Sequence, residues 1–304
     1  MLKFIFRGIS ILMLAGAASF TGFYVYLSSF EGRRIGDHEI LQNTAGRPLV
    51  IAHRGGAGIA PENTLEAFRR SKELGVDMLE LDVRATKDGE LVVFHDRSVD
   101  RTTNGTGLVS EMTFREISKL DAGFDWTNDG GKTFPFRGKG IKVSKLREIF
   151  EEFPEIKINI EPKHSEPAPA KPLCDLIREF KREDKVIVAS TIHDVLEEFR
   201  SECTGVATSA SPSEAIGFLA RQRSGLSDNY APEMAVLQTI ESIRIIDVVT
   251  KNYINAADEM NIKVHVWTVN DVKDMKRLIE LGVDGIMTDY PDKLLGIVSS
   301  NKKN

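Results

Sequence analysis

From Pro48 onward the sequence alternates short apolar runs with helical segments, and this alternation restricts the fold more than any other feature. Such alternation is typical of the βαβ units that build parallel sheets. Eight apolar runs are candidate strands: Leu49–Ala52, Met78–Val83, Lys157–Glu161, Val186–Ser190, Gly205–Ser209, Met234–Gln238, Val264–Thr268 and Gly285–Thr288. Eight strands with intervening helices in about 257 residues indicate an α/β fold, a closed TIM-type (β/α)8 barrel rather than an open sheet.

One stretch breaks this spacing. Between Asp96 and about Glu155 the chain is rich in glycine, and it is far longer than the 2–6 residues usual for such connections. Because a helical piece from Thr113 to Leu120 lies inside it, we interpret residues 97–155 as a small insertion in a barrel that covers residues 48–298. Residues 299–304 form a tail. Insertions after barrel strands tend to lie over the catalytic end of the barrel.

The start of the chain is apolar. The 23 residues from Gly8 to Phe30 carry no charged side chain, and about 20 such residues suffice for a helix to cross a bilayer. We therefore predict that residues 1–47 form a single-pass transmembrane helix and a connector. A signal peptide cleaved near Ala15–Ala17 is the alternative, which we disfavour because the apolar character continues through Leu27. This prediction places the protein in a membrane, with the catalytic domain outside the cytoplasm.

Composition and charge exclude several classes of protein. With 41% hydrophobic and 28% charged residues, the chain is neither disordered nor a multi-pass membrane protein. The net charge of −5 becomes −7 when residues 1–47 are set aside, and an acidic body argues against nucleic acid as a partner. The two cysteines, Cys174 and Cys203, leave no zinc-type spacing. We interpret them as buried apolar residues, or as one disulfide if the compartment is oxidising.

The second candidate strand carries two carboxylates on one face. Alternate side chains of a strand point the same way, so Glu80 and Asp82 are predicted to face the barrel interior while Leu79 and Leu81 face the helices. Buried carboxylates are unfavourable unless a cation or another partner compensates them. Ion pairs with arginine or lysine are one explanation, and a bound metal ion is the other.

A hairpin is predicted directly after this strand. Asp88-Gly89 between two extended runs is a strong signal for a two-residue turn. With these residues at the tip, Lys87 pairs with Glu90, and counting back along both strands pairs Asp82 with His95. Directly opposed residues share a face, so His95 is predicted to stand beside the carboxylates at the barrel mouth.

Further polar side chains follow the first and third strands at the same end of the barrel. His53 and Arg54 come directly after the first strand, where barrel enzymes keep their active sites. Asn159, Glu161 and Lys163 follow one another at two-residue intervals on the third. One rim thus receives two histidines, three acids, an arginine and a lysine, a set that structural ion pairing alone explains poorly.

This set suits the cleavage of a phosphodiester. A diester monoanion repels nucleophiles, so its charge must be offset, and three carboxylates suit a hard divalent cation such as Ca²⁺ or Mg²⁺. Arg54 offers a planar fork for phosphate oxygens, and Lys163 adds a point charge. Two groups that titrate near neutrality are needed to move protons, and His53 and His95 fit that requirement.

The same residues lie in motifs that resemble those of the glycerophosphodiester phosphodiesterase family. The motifs run in family order over residues 50–292, and jointly they are highly specific: His53-Arg54-Gly55, Pro61-Glu62-Asn63-Thr64, Glu80-Leu81-Asp82-Val83, Lys87-Asp88-Gly89, His95-Asp96, Arg101–Gly105, Asn159–Lys163, Val266–Asn270 and Gly282–Pro291. The resemblance implies a TIM-type barrel that hydrolyses glycerophosphodiesters to an alcohol and glycerol 3-phosphate with a divalent cation. It also implies roles for nine residues: His53 and His95 as the acid–base pair, Glu80, Asp82 and Glu161 as metal ligands, and Arg54, Lys163, Trp267 and Glu62 as substrate contacts.

Three other functions stay open at this point. A membrane-anchored lysophospholipase D breaks the same kind of bond in a lysophospholipid, and aromatic residues of the insertion would then line an acyl groove: Phe124, Trp126, Phe134 and Phe136. We favour the interpretation that these four residues form a small hydrophobic core within the insertion. A barrel that binds the same ligands without turnover is less consistent with the intact polar set. A two-carboxylate glycosidase is disfavoured because Arg54 and Lys163 would oppose a positively charged transition state.

Overall fold

The computed structural model describes residues 34–300, apart from 165, 167, 227–229 and 244, together with residues 19, 21, 22 and 24–26. Its strands are β1 (Leu49–Ala52), β2 (Met78–Ala85), β3 (Leu91–Val93), β4 (Lys157–Pro162), β5 (Val186–Val188), β6 (Ala207–Thr208), β7 (Val236–Thr239), β8 (Ser242–Ile243), β9 (Ile246–Asp247), β10 (Lys263–Val266) and β11 (Gly285–Thr288). Its α-helices are α1 (Leu65–Leu74), α2 (Phe114–Ile117), α3 (Leu146–Glu152), α4 (Ala170–Glu179), α5 (His193–Glu202), α6 (Pro212–Ser224), α7 (Lys251–Glu259), α8 (Val272–Leu281) and α9 (Pro291–Ser300).

Eight parallel strands form a nearly closed barrel. Their order is β6-β5-β4-β2-β1-β11-β10-β7. A parallel bridge between Ser209, directly after β6, and Val236 in β7 links the two ends of this order. The predicted TIM-type barrel and its eight strands are therefore confirmed.

The core has two layers that follow the alternation of side chains along the strands. Leu79 and Leu81 are fully buried among the helices, in the larger cluster that surrounds the barrel. Met78 lies in a second cluster inside the barrel, together with Ile51 and Met287. Glu80 alternates with these outward-facing leucines, so it points inward above Met78, as the two-residue period of a strand predicts.

Residues before the barrel cover its lower end. The N–H of Ile35 donates to the carbonyl oxygen of Met260 at 2.9 Å. Ile40 and Leu41 lie in a 3-10 turn and are buried in the cluster inside the barrel. Apolar side chains from this segment thus close the end opposite the strand carboxyl ends.

The predicted membrane anchor falls mostly on residues outside the described part of the chain, since Gly8–Phe30 includes only six described positions. Among the described residues, no helix is both long and apolar enough to cross a bilayer. The predicted membrane localisation is corrected on this finding, and the predicted single-pass anchor is not supported by the described residues. The prediction relied on the length of an apolar run, which is a necessary condition for a span and not a sufficient one.

The hairpin between β2 and β3 has a register one residue away from the predicted one. Val83 lies opposite Val93, and the N–H of Phe94 donates to the carbonyl oxygen of Asp82 at 2.9 Å. Phe94, and not His95, is therefore the residue opposite Asp82. Because β3 ends at Val93, His95 reaches the barrel mouth from the following loop. Its predicted location holds although the predicted pairing is wrong.

A longer turn causes this shift. The loop contains Lys87, Asp88 and Gly89, and the N–H of Thr86 closes it by donating to the carbonyl oxygen of Glu90 at 3.0 Å. The Thr86 hydroxyl accepts from the Glu90 N–H at 3.0 Å and donates to Asp88 at 2.6 Å, which stabilises the wider loop. Gly89 takes a φ of 82°, the left-handed conformation that a three-residue hairpin loop needs.

The two cysteines form a disulfide. Cys174 on α4 and Cys203, directly after α5, have Cα atoms 5.5 Å apart, and both side chains are buried. The bond joins two neighbouring helices on the outside of the barrel. Of the two interpretations drawn from the sequence, the disulfide is the one that the structure contains.

Candidate active site

A cavity of about 380 Å³ opens at the carboxyl ends of the barrel strands. Seven of the nine predicted site residues line it: His53, Arg54, Glu80, His95, Glu161, Lys163 and Trp267. The other two lie directly behind the lining, since Asp82 contacts Lys163 and Glu62 contacts Arg54. The structure therefore brings together at one rim the residues that the sequence predicted to meet there.

Three carboxylates form a compact cluster in this cavity. Asp82 lies opposite Glu161 in the pairing of β2 with β4. One oxygen each of Glu80, Asp82 and Glu161 lie within 4.8 Å of one another. Burial, and then the charge of Asp82, raise the pKa of Glu80 to about 7, because both disfavour a second negative charge. The residues fit a divalent cation, which would supply the charge that the cluster needs to stay ionised.

Two cations of the chain partly neutralise the cluster. Lys163 Nζ lies 2.8 Å from Glu161 Oε1 and 3.2 Å from Asp82 Oδ1, while Arg54 Nε lies 3.4 Å from Asp82 Oδ2. Burial alone would lower the pKa of Lys163, but the charges of Asp82 and Glu161 outweigh it and raise that pKa. The ion pairs considered from the sequence are thus present, in the same cluster that suits a metal.

Asn63 fixes the most buried of the three carboxylates. Its side-chain amide donates to Asp82 Oδ2 at 2.8 Å and accepts from the Asp82 N–H at 3.2 Å. The helix that follows is capped by Thr64, whose Oγ1 accepts from the Ala67 N–H at 3.3 Å. Because Thr64 supplies the cap, the Asn63 side chain is free to hold Asp82.

His53 is held by a residue from the other end of the sequence. Its Nδ1 lies 2.6 Å from Asp289 Oδ1, and Asn270 donates to Asp289 Oδ2 at 2.6 Å. His53 Nε2 is left facing the cluster, 4.0 Å from Glu80 Oε2. Burial alone would lower the pKa of His53, but the hydrogen bond with Asp289 and the charge of Glu80 outweigh it and raise the pKa above its usual value.

His95 has an equivalent partner next to it in the sequence. Its Nδ1 lies 2.6 Å from Asp96 Oδ1. Arg101 donates to Asp96 Oδ2 at 2.6 Å and to both oxygens of Glu62 at 2.8 Å. The hydrogen bond from Arg101 holds the pKa of Asp96 far below its usual range. Each histidine therefore has Nδ1 bonded to an aspartate, which leaves Nε2 as the nitrogen that can exchange a proton.

Glu62, which the resemblance gives as a substrate contact, is held by two arginines. It accepts a 2.8 Å hydrogen bond from Arg54 Nη1 in addition to the two from Arg101. Burial alone would raise the pKa of Glu62, but its hydrogen bonds and ion pairs with the two arginines lower it. Glu62 thus connects Arg54 to the group that holds His95 and orients both.

Sequence reasoning gave no role to four residues that orient the histidines: Asp289, Asn270, Asp96 and Arg101. All four lie inside the motifs from which the family resemblance was drawn. The signal for Asp289 was its position directly after the last strand, at the same rim as the other polar strand ends. Its contact with His53 requires knowing that the first and last strands are neighbours.

Part of the cavity lining is apolar. Trp267 is 37% exposed at the mouth, on the same lining as Ile216, Ile240 and Ile243. The four aromatic residues of the insertion do not belong to the lining that the described residues form. Trp126 packs on Phe136 with ring centroids 4.9 Å apart. The guanidinium of Arg137 lies over the rings of Phe124 and Phe134 at 4.1 and 3.9 Å.

Comparisons with known proteins agree with this geometry. The family model of the Glycerophosphoryl diester phosphodiesterase family matches residues 53–293. The chain is 37% identical over 258 residues to a glycerophosphodiester phosphodiesterase of Caldanaerobacter subterraneus. This alignment covers 83% of the chain and 98% of the relative. The chain is also 30% identical over 269 residues to a lysophospholipase D of Mus musculus. That alignment covers 80% of the chain and 84% of the relative.

Solved structures give the same result. A putative glycerophosphoryl diester phosphodiesterase from Silicibacter pomeroyi aligns with a TM-score of 0.72 and 26% identity over 87% of this chain and 97% of its own. An Oleispira antarctica phosphodiesterase, solved in complex with the product sn-glycerol-3-phosphate, aligns with a TM-score of 0.66 and 25% identity over 83% of this chain and 97% of its own. The predicted enzyme class is thereby confirmed, and the chain belongs to the glycerophosphoryl diester phosphodiesterase family.

Proposed function

We propose that this enzyme hydrolyses glycerophosphodiesters to an alcohol and glycerol 3-phosphate, with His53 and His95 as the acid–base pair and a divalent cation held by Glu80, Asp82 and Glu161. The observation that carries the proposal is that two histidines, each with Nδ1 2.6 Å from an aspartate oxygen, line one cavity with an acidic cluster. The complex of the Oleispira antarctica relative with sn-glycerol-3-phosphate supports this product.

His53 acts as the base. Its Nε2 accepts the proton of the attacking oxygen, which belongs to water or to the glycerol 2-hydroxyl of the substrate. The raised pKa of His53 supports this role, because a more basic imidazole takes a proton more readily. Asp289 fixes the ring and stabilises the positive charge that His53 gains.

His95 acts as the acid. Its Nε2 gives a proton to the oxygen of the departing alcohol, which would otherwise leave as a strongly basic alkoxide. Asp96 fixes the ring through Nδ1, and Arg101 fixes Asp96 in turn. Reversing the two roles would use the same contacts, so the assignment requires a direct test.

Arg54 and Lys163 bind the phosphate. The Arg54 guanidinium is held by Glu62 at 2.8 Å, and its main-chain N–H donates to Glu80 at 2.7 Å, so it is in position before substrate arrives. Lys163 adds a second positive charge at the same rim. Both cations offset the charge of the diester and orient it toward the histidines.

Glu80, Asp82 and Glu161 are the residues that would hold the cation. When bound, a divalent cation would neutralise charge on the diester and stabilise the charge that develops on its oxygens. An all-oxygen set of ligands suits Ca²⁺ or Mg²⁺ better than zinc, which prefers nitrogen and sulfur.

The test of metal dependence is choline release from glycerophosphocholine by the full-length enzyme. EDTA is expected to abolish turnover, and titration with Mg²⁺ and Ca²⁺ in separate series should restore it. Equal rates with and without EDTA, in protein shown to be metal-free by elemental analysis, would remove the cation from the proposal. The same titration identifies which ion supports the faster reaction.

Lysophospholipids are a second candidate substrate class. They contain the same phosphodiester, and the apolar residues Ile216, Ile240 and Ile243 on the cavity lining favour a ligand with a hydrocarbon chain. The similarity to the Mus musculus lysophospholipase D supports this candidate. Binding without turnover is less consistent with two intact histidine–aspartate pairs beside a complete acidic cluster.

A further inference from the structure

A second cavity, of about 430 Å³, lies beside the catalytic cavity, and Lys163 lines both of them. Arg84 of β2 and Arg97 also line this second cavity, here called the arginine pocket. Its described lining includes His164 and one carboxylate, that of the exposed Glu166. A cleft lined mainly by one sign of charge concentrates ligands of the opposite sign. In a protein with a net charge of −5, this excess of cations therefore indicates a site for an anion.

The two arginines have no acidic partner among the described residues. The Arg84 side chain makes one hydrogen bond there, from Nε to the carbonyl oxygen of His95 at 2.8 Å, and the Arg97 side chain makes none. Burial lowers the pKa of Arg84, and the charge of Arg97 adds to this effect against the opposing charges of two aspartates. A partly buried cation without a counter-charge is unfavourable. An anion that enters the arginine pocket is therefore stabilised by both guanidinium groups.

The arginine pocket lies on the His95 side of the catalytic cavity. Arg84 follows Asp82 by two residues on β2, so the two side chains lie on the same face of the strand. The hydrogen bond from Arg84 to His95 joins the pocket to the loop that carries this histidine. In the proposed mechanism His95 gives its proton to the departing alcohol. The departing alcohol therefore lies next to the arginine pocket.

The rest of the pocket suits a phosphate group. Burial, and then the charge of Arg84, lower the pKa of His164, so its ring is neutral near pH 7 and offers an N–H donor. Guanidinium groups present paired N–H donors that match the oxygens of a phosphate. Three apolar residues complete part of the wall: Leu108, Val109 and Ile192. By limiting access of water, they strengthen hydrogen bonds made inside the pocket.

We infer that the arginine pocket binds a second phosphate group of the substrate, carried by the departing alcohol of a glycerophosphodiester. This inference rests on the proposed function, since it uses the same reaction at His53 and His95. In that reaction water adds to phosphorus and the bond from phosphorus to the departing oxygen breaks. A proton of the water passes to His53, and the proton of His95 passes to the departing oxygen. The products are glycerol 3-phosphate and a phosphorylated alcohol, whose own phosphate stays attached throughout.

The test compares two diesters that differ only in this second phosphate. They are the glycerol 3-phosphate esters of 1,3-propanediol and of 1,3-propanediol monophosphate. Release of glycerol 3-phosphate by the full-length enzyme is the readout for both, with the divalent cation in excess so that chelation by the extra phosphate has no effect. We expect kcat/KM to be about tenfold higher for the phosphorylated ester, because charge-assisted hydrogen bonds form only with it.

Variants test the arginine pocket itself. In Arg97→Gln the ratio of kcat/KM for the phosphorylated ester to that for the unphosphorylated ester should fall about tenfold. Arg84→Gln should lower the same ratio, and the ratio cancels any loss that both esters share because His95 has lost a hydrogen bond. Arg115→Gln is the matched control. It removes the same charge from an exposed side chain on α2 that lines neither cavity.

The outcomes separate the inference from the proposed function. If both esters are hydrolysed but the wild type does not prefer the phosphorylated one, or the ratio is the same in both pocket variants as in the wild type, the inference is overturned and the proposed function is upheld. Failure to release glycerol 3-phosphate from either ester overturns both. A fall of the ratio in Arg97→Gln and Arg84→Gln, with Arg115→Gln like the wild type, supports the inference.

Discussion

His53 Nδ1 lies 2.6 Å from Asp289 Oδ1, although the two residues are 236 positions apart in the chain. The contact follows from closure of the barrel, because β1 pairs with β11 in a register that puts Ala52 opposite Thr288. His53 directly follows Ala52, and Asp289 directly follows Thr288, so the two side chains meet at the same end of the barrel. The first and last strands thus place a histidine and its aspartate partner side by side at the rim.

Replacing Asp289 should weaken catalysis through His53. Asp289→Asn keeps the size of the side chain but removes the charge that raises the pKa of His53. We expect kcat/KM to fall by about 10²-fold, and the acidic limb of its pH profile to move to lower pH, because a lower pKa keeps the base deprotonated further into acid. Asp292→Asn, an exposed neighbour at the start of α9, is the control. An unshifted limb would mean that Asp289 does not tune His53.

The acidic cluster should bind its cation with a measurable gain in stability. A ligand that binds only the folded state stabilises it by about 2.7 kcal/mol at one hundred times its Kd. Mg²⁺ or Ca²⁺ is therefore expected to raise the Tm of the wild type by several degrees and that of Glu161→Gln by much less. Glu166→Gln, which changes an exposed carboxylate outside the cluster, should respond like the wild type. An equal rise in Glu161→Gln would exclude Glu161 as a ligand.

The disulfide should contribute strongly to stability. The Cys174–Cys203 bond has a sequence separation of 29, and closing a loop of that size stabilises a fold by about 3–4 kcal/mol in the chain-entropy description. Cys174→Ser/Cys203→Ser should lower the free energy of urea unfolding by about that amount relative to wild type prepared without reductant. Thiol titration of the denatured, unreduced wild type should find no free thiol. Two free thiols would show that the bond does not form.

His265 should make the fold sensitive to acid. Burial, and then the charges of Lys263 and Lys157, lower the pKa of His265 to about 3, whereas in the unfolded chain it is ordinary. Between about pH 6.5 and pH 3 the unfolded state therefore binds one more proton, so stability falls as pH falls, by up to about 1.4 kcal/mol per pH unit.

His265→Gln should flatten this dependence, because an amide does not titrate. The measurement is the free energy of urea unfolding at intervals from pH 7 to pH 4. His193→Gln is the control, since the His193 side chain is 40% exposed. The same slope in His265→Gln and in the wild type would contradict the assignment.

The barrel was predictable because parallel strands are buried on both faces and therefore occur in the sequence as short apolar runs between helices. Most of the rim was predictable for the same reason. Once Glu80 and Glu161 are placed on strands, the two-residue period and the shared direction of parallel strands bring them to one end. The structure adds to this that Asp82 and Glu161 are directly opposed.

The predictions that differ from the structure depend on side-chain contacts or strand neighbours, and a pattern of residue types along the sequence does not show these. The hairpin register changed because the side chain of Thr86 stabilises a three-residue loop, and Asp-Gly occurs in both loop lengths. The role of Asp289 was missed because it depends on which strands are neighbours. The membrane localisation was predicted from length and hydrophobicity alone, which do not establish a spanning helix.

The central claim is that His53 takes a proton and His95 gives one, and leaving-group dependence tests it most directly. Glycerophosphocholine has a basic leaving alcohol that needs a proton, whereas the nitrophenolate of glycerol 3-phospho-p-nitrophenol leaves without one. His95→Ala is expected to lose about 10³-fold in kcat on the choline substrate and less than about tenfold on the nitrophenyl substrate, while His53→Ala loses heavily on both. Near-normal turnover of glycerophosphocholine by either variant, or equal losses of His95→Ala on both substrates, would contradict the claim.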